Sequence, residues 1–177
     1  MMNRKNDLKE NNILLPLWLL VFWPSPLWLV LIPANYLIDR FVLWWSLGDL
    51  PEKGNFCRRH TWKICLAGFL SDFIGAVILF AAFMCSSLAG DGFPAGALLE
   101  EIGYGVGFNP FANIGGFLVT ALAVAASGAC IYLFDTVILQ KAGLDVGHAR
   151  KSALRLALIT APYLYFFPMD IVYKNWL

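Results

Sequence analysis

Charged residues are scarce in this sequence of 177 residues. Only 14% are Asp, Glu, Lys or Arg, whereas 59% are hydrophobic; soluble domains average ~25% charged and ~45–50% apolar residues. The polar segments that remain are only loop-sized, which excludes a separate soluble catalytic or binding domain. The net charge of +1 also excludes an overall field that attracts nucleic acid, so no nucleic-acid partner is expected.

Patterns for metal binding and catalysis are lacking as well. The four cysteines and two histidines include no CxxC motif and no Cys–His pair at metal-ligand spacing. A GxSxG nucleophile motif and an HExxH zinc motif are both absent. The sequence therefore predicts no metal site, no cofactor and no catalytic residue.

Long apolar segments are what the sequence does contain. A helix crosses the ~30 Å hydrocarbon core of a bilayer with ~20 residues. Segments 63–85, 113–139 and 154–173 reach that length and are predicted to be full transmembrane helices. A fourth segment, 13–47, is apolar but interrupted by prolines. The sequence predicts an all-α integral membrane protein, a single membrane domain over 1–177 with the lipid bilayer as its main partner.

The distribution of Lys and Arg predicts the orientation. The connection 86–112 contains no Lys or Arg, whereas 48–62 and 140–153 contain three each. Because basic loops stay on the cytoplasmic side, we expect 86–112 outside and the other two loops inside, together with the polar tail 1–12. The predicted location is the cell membrane, with several passes.

The N-terminal segment 13–47 leaves two interpretations open, because it is too short for two spans of ~20 residues and a turn. One is a re-entrant hairpin that turns at residues 23–26 and keeps the N-terminus inside. The other is a single, fourth span with the N-terminus outside. We favour the hairpin, which keeps the basic tail inside. Prolines at four positions are expected to kink or break membrane segments: Pro24, Pro26, Pro33 and Pro162.

The outer connection 86–112 is rich in glycine. Residues 95–102 are predicted to form one short helix on the membrane surface. Gly103, Gly105 and Gly107 resemble a phosphate-binding loop only in spacing, because they do not follow a strand. We interpret them as part of a flexible outer loop.

Ionisable residues inside the predicted spans are the main candidates for a site. A carboxylate within the bilayer costs several kcal/mol unless it is paired, hydrated or protonated. Five residues are predicted to form a polar cluster near the inner leaflet: Asp39, Arg40, Asp72, Asp135 and Arg155. Arg155 is the expected partner of Asp72, with Arg40 in reserve. The cluster is either a structural network that locks the helices together or a hydrated site for an ion, proton or polar substrate.

Small residues predict where the helices pack closely. Gly68 and Gly75 share a helical face with Asp72, and a second group lies at similar spacings in the segment 113–139. The predicted packing positions are Gly68, Gly75, Ala121, Ala125, Gly128 and Ala129.

Three functions are compatible with these patterns. The leading hypothesis is a non-catalytic subunit of a membrane assembly, with copies of itself or other membrane proteins as partners. The first alternative is a small transporter or channel subunit that uses the aspartates for an ion or polar solute. The second is an enzyme that acts on a lipid-linked substrate.

Overall fold

A computed structural model describes residues 16–22, 26–88 and 95–171. Within these ranges the protein is all-helical and contains no strand. A first 3-10 helix precedes α1 and a second follows α5. In chain order the elements are Leu17–Val21 (first 3-10), Trp28–Ser46 (α1), Lys53–Leu88 (α2), Gly96–Gly107 (α3), Ile114–Lys141 (α4), Val146–Thr160 (α5) and Tyr163–Phe166 (second 3-10).

The centre of the bundle is formed by α2 and α4, the two helices that are long and apolar enough to cross a membrane. Their outward faces carry exposed large apolar side chains; Leu66 and Leu122 are both 62% exposed. Such faces are expected where lipid replaces water as the solvent. The helical class predicted from the sequence is therefore found, with two candidate membrane spans. Three full spans are not shown.

The helix α2 begins earlier than the sequence predicted. It has 36 residues, or about 54 Å at 1.5 Å per residue, and its first ten residues fall in the predicted loop 48–62. The helix α5 likewise starts at Val146, inside the predicted loop 140–153. Both starts lie at one end of the bundle, where α1 and α4 end; we call this the basic end because it carries Lys53 and Lys141.

The last predicted span, 154–173, is not one continuous helix. The helix α5 stops at Thr160, just before the buried Pro162, and the chain then forms the second 3-10 helix. Proline removes a backbone donor and forces its predecessor into extended geometry. One carbonyl at the end of α5, that of Leu158, accepts a hydrogen bond from the Tyr163 hydroxyl at 2.6 Å. The helix therefore ends at the position where a kink was predicted.

At its other end, α5 is capped by the exposed Asp145, whose carboxylate accepts the backbone N–H of His148 at 3.1 Å. This hydrogen bond, together with one to the His148 ring, holds the pKa of Asp145 below its ordinary value. Asp145 is thus the N-cap residue that stabilises the start of α5 after the turn that follows α4.

Two separate helical elements flank the predicted break in the N-terminal segment: the first 3-10 helix ends at Val21 and α1 begins at Trp28. Pro24 lies outside the described residues, with the rest of 23–25, and Pro26 lies two residues before α1. Pro33, in contrast, lies inside α1 without ending it. The helix accommodates Pro33 within its first two turns.

The path of this segment does not support the re-entrant hairpin. Trp18 contacts Phe83, with ring centroids 6.2 Å apart, and Trp28 contacts Phe69 at 6.3 Å. Later residues of the N-terminal segment therefore lie beside earlier residues of α2. Over the described residues the segment runs in one direction, antiparallel to α2 and toward the basic end. Residues 1–15 lie outside the described ranges.

The described part of the connection 86–112, residues 95–112, contains more helix than predicted. The helix α3 continues through Gly107 and buries Gly103, Gly105 and Gly107. Gly103 faces Ser86 of α2, and a Cβ atom on Gly105 would lie 2.7 Å from the Cα atom of Gly116 in α4. The prediction of flexible glycines was wrong, because these residues let three helices approach closely.

Two apolar clusters form the core. The one near the basic end includes Leu43, Ile64, Ile131, Leu139 and Leu156. The other, near α3, includes Trp18, Leu79, Val106, Ala123 and Tyr165. Between the two clusters, the buried Ser127 hydroxyl of α4 donates to the Ser71 carbonyl of α2 at 2.9 Å. This hydrogen bond joins α2 and α4 one residue before Asp72, where the candidate site begins.

Candidate functional site

Three of the five predicted cluster residues are acids inside the bundle, one of which acts electrostatically on the other two. They are Asp39 on α1, Asp72 on α2 and Asp135 on α4, which we call the aspartate triad. Asp39 is 3% exposed and Asp135 is fully buried, while Asp72 is half-buried. The Asp39 carboxylate lies close enough to act electrostatically on both of the others. Asp39 is therefore the shared neighbour that links the triad.

The triad has buried oxygen atoms without protein partners. These are Oδ2 of Asp39, Oδ1 of Asp72 and both carboxylate oxygens of Asp135. The Cys65 thiol forms a hydrogen bond with the Asp39 side chain. Buried polar side chains normally find partners, so four unsatisfied oxygens in one region are unusual.

The two predicted arginines face away from the triad. The Arg40 guanidinium lies 3.5 Å from the Tyr36 hydroxyl. Arg155 donates to the Ser46 carbonyl at 3.4 Å and lies over the Trp45 ring at 4.8 Å. Among the described residues, neither arginine forms an ion pair with an aspartate. The expected pairing of Asp72 with Arg155 or Arg40 is thus not formed.

Helical geometry explains why the arginines are separated from the triad. Successive residues of an α-helix point about 100° apart, so Arg40 cannot share the face that Asp39 turns inward. Arg155 lies at the end of α1, where a backbone carbonyl accepts its hydrogen bond and an indole ring makes a cation–π contact with it. The predicted five-member cluster is therefore an aspartate triad and two independent arginines.

A cavity of about 410 Å³ lies beside Asp72. Its lining is mainly apolar but includes the polar side chains of Asn35, Asp72, Thr160, Tyr163 and Tyr165. On one side the wall is the break before α1, and on the other it is the break after α5. Interrupted helices that face a cavity are typical of substrate and ion sites in membrane transporters, because the freed backbone groups line the cavity.

Tyr165 fixes the second 3-10 helix against α2. Its ring is 6% exposed, and its hydroxyl donates to the backbone carbonyl of Asp72 at 2.7 Å. A Cβ atom on Gly75, one turn further along α2, would lie 3.2 Å from the Tyr165 ring. The close approach at Gly75 therefore brings the broken element to the same level as Asp72.

The two predicted packing glycines of α2 differ in their surroundings. Gly75 lies at the crossing with α4, where an added Cβ atom would overlap the Ser127 hydroxyl and lie 3.0 Å from the Ala123 carbonyl. Gly68 is also buried, but a Cβ atom there would meet nothing within 4 Å. Gly68 thus leaves open space one turn before Asp72 instead of a tight contact.

Only some residues of the predicted packing face of α4 contact a neighbouring helix. Gly128 approaches α5, with the Ala157 carbonyl 3.9 Å from a built Cβ atom. Ala121 is half-buried, and Ala125 and Ala129 are exposed. The buried face of α4 instead carries Thr120, Ala123, Ser127, Ile131 and Asp135. An apolar helix with small residues on several faces does not reveal which face its neighbours cover.

Two side chains at the site were missed by the sequence analysis as site residues. Asn35 lies four residues before Asp39, and Cys65 lies seven before Asp72, so each shares a helical face with a triad residue. That spacing was an available signal. A buried thiol usually behaves as a small hydrophobic residue, so Cys65 by itself did not indicate a site.

Among the described residues, no group of three Asp, Glu, His or Cys side chains is arranged to hold a metal ion. Comparison with known proteins adds no identity: no protein-family model, no curated protein and no solved structure matches the chain. The function must therefore be argued from the triad and its cavity.

Proposed function

We propose that this protein is a small multi-pass protein of the cell membrane that transports protons, as a transporter or channel subunit, through the aspartate triad. The observation that carries this proposal is the set of unpartnered carboxylate oxygens at Asp39, Asp72 and Asp135. Intramembrane acids are expensive and are usually found on ion or proton pathways. No arginine among the described residues neutralises them, which argues against a purely structural network.

The proton is the ligand that this site suits best. A proton neutralises a buried carboxylate without a shell of further ligands, whereas a metal ion needs several oxygen atoms around it. The cavity reaches Asp72. Asp39 interacts electrostatically with both Asp72 and Asp135. We therefore infer a pathway from the cavity to Asp72, then to Asp39 and finally to Asp135.

The direction of this pathway follows from the distances of Asp72 and Asp135 from the basic end, measured along their helices. Asp72 lies 19 residues after Lys53, or about 29 Å along α2, and Asp135 lies six residues before Lys141, or about 9 Å from the end of α4. The pathway thus leads from the middle of the bundle toward the basic end, which we place at the cytoplasmic side.

Infrared spectroscopy of the protein in lipid tests this function, because protonated carboxyl groups have a carbonyl band that carboxylates lack. We expect a band that titrates with pH in the native protein and loses intensity in Asp72→Asn. Liposomes with the native protein should also dissipate a pH gradient, and Asp72→Asn should reduce that flux to the protein-free rate. The control is Asp49→Asn, an exposed carboxylate in the turn before α2. Equal flux and equal bands in native protein and Asp72→Asn would contradict the proposal.

Multiple membrane passes predict opposite exposure of the two ends of the bundle. In a cysteine-free background, a cysteine at Glu100 on α3 should react with an impermeant maleimide added to intact cells. A cysteine at Gly147, near the start of α5, should react only after the cells are permeabilised. Both positions are exposed, so burial does not confound the comparison. Equal labelling of both in intact cells would disprove the proposed orientation.

The second candidate is a non-catalytic subunit of a membrane assembly. One observation favours it: Ala125 and Ala129, one helical turn apart on α4, are exposed and would allow another helix to approach closely. The infrared experiment separates the two candidates. A folded protein without a titrating carboxyl band would favour the assembly role.

A further inference from the structure

A long groove runs between α1 and α2 on the outside of the bundle. It has a volume of about 790 Å³, and its walls are almost entirely apolar, with Ile32, Leu37, Leu66, Leu70 and Phe73 among them. Along α2 it extends from Trp62 to Phe73, or about 16 Å. That length matches one leaflet, which is half of the ~30 Å hydrocarbon core.

The groove leads to a second pocket at the basic end, which contains one charged side chain, that of Arg40. Leu37 lines both, and the second pocket, of about 370 Å³, adds Arg40, Trp44 and Cys57. Arg40 and Lys53 both lie close enough to Cys57 to act on it electrostatically. Two cationic groups therefore stand where the apolar groove reaches the basic end.

These cations are available to an external anion. Among the described residues, neither Arg40 nor Lys53 forms an ion pair, although Asp49 and Glu52 lie in the turn before α2. Lys53 donates to the Gly48 carbonyl at 2.8 Å and lies 4.1 Å above the Trp44 ring. An ammonium group held over an indole at the membrane boundary is well placed to meet a phosphate.

We propose that the groove between α1 and α2 binds one acyl chain of an anionic phospholipid, whose phosphate lies against Arg40 and Lys53. The match of groove length to one leaflet and the cations at its end together specify this occupant. Basic pockets between membrane helices on the cytoplasmic side are suited to such headgroups. The inference rests on the membrane location proposed above, but not on proton transfer by the triad.

Native mass spectrometry of the protein in detergent tests this site with phosphatidylglycerol and with phosphatidylcholine of identical acyl chains. We expect tighter binding of phosphatidylglycerol. The double variant Arg40→Gln/Lys53→Gln should lose this preference, by about fivefold for each charge removed. The matched control is Arg150→Gln/Lys151→Gln, which removes two exposed charges near the same end and should keep the preference.

Further variants keep the test decisive if the double variant does not fold. Arg40→Lys preserves the charge and should retain most of the preference, and Leu66→Trp should fill the groove and weaken both lipids. Asp72→Asn should leave lipid binding unchanged, which separates this site from the proton pathway. Equal affinity for the two lipids, or an equal loss in the control, would overturn the proposal. The proposal would also be overturned if Leu66→Trp altered dimerisation but not lipid binding, because the groove would then be occupied by a second copy of this chain.

Discussion

Replacing Asp135 by leucine should stabilise the protein and abolish its proton transfer. Asp135 is fully buried, and neither of its carboxylate oxygens has a protein partner. A buried polar group without a hydrogen bond costs about 1–3 kcal/mol, which leucine would recover beside Ile131 and Leu139, one turn away on each side. Thermal unfolding in detergent should show a higher midpoint, while flux from liposomes falls to the protein-free rate.

A matched substitution should have the opposite effect on stability. Asp170 accepts a hydrogen bond from the Asn109 side chain at 2.9 Å, so Asp170→Leu should lower the unfolding midpoint. Opposite signs for the two variants would separate a functional carboxylate from a structural one. If Asp135→Leu instead destabilised the protein, the triad would be a structural network, as one of the two sequence-based interpretations held.

Replacing Gly105 by alanine should loosen the packing of α3 on α4. The added Cβ atom would lie 2.7 Å from the Cα atom of Gly116, and the obstacle is backbone, which cannot rotate away as a side chain does. Overpacking of this kind costs about 1–3 kcal/mol. We expect a lower unfolding midpoint and faster proteolysis around α3.

The control for Gly105→Ala is Gly54→Ala, in the first turn of α2. A Cβ atom on Gly54 would meet nothing within 4 Å, so only helix propensity changes, in favour of alanine by up to about 1 kcal/mol. Equal stability changes in the two variants would contradict the tight α3–α4 contact.

The effect of Gly105→Ala should reach the N-terminal segment. The indole N–H of Trp18 donates to the carbonyl of Val106, the next residue of α3, at 2.9 Å. A displaced α3 would lose this bond, which anchors the first 3-10 helix. Since Leu20 and Val21 of that element line the cavity, the variant should also reduce proton flux.

Local properties of the sequence were enough to predict much of the fold. The length of the apolar segments predicted α2 and α4, because a helix needs a minimum number of apolar residues to cross a bilayer. The prolines predicted a break at residues 23–26, most of which lie outside the described residues, and a kink at Pro162, where α5 ends, because proline lacks a backbone donor whatever surrounds it. The triad residues were also identified, because an acid in an apolar segment is costly wherever the segment packs.

The tertiary structure alone decided which residues meet. Small residues lie on several faces of α4, so the sequence did not reveal which of them its neighbours cover. Ala125 and Ala129 were predicted to be packing positions, whereas Ser127 and the predicted Gly128 make the contacts. The glycines of α3 became packing residues only because α2 and α4 lie beside them. Arg40 lies away from the triad because it occupies a different face of α1 from Asp39, and it is near the Tyr36 hydroxyl. Arg155 contacts the Ser46 carbonyl and the Trp45 ring instead. The sequence by itself determined the helices, their interruptions and the acids; pairwise contacts between distant residues determined the triad, its cavity and the lipid groove.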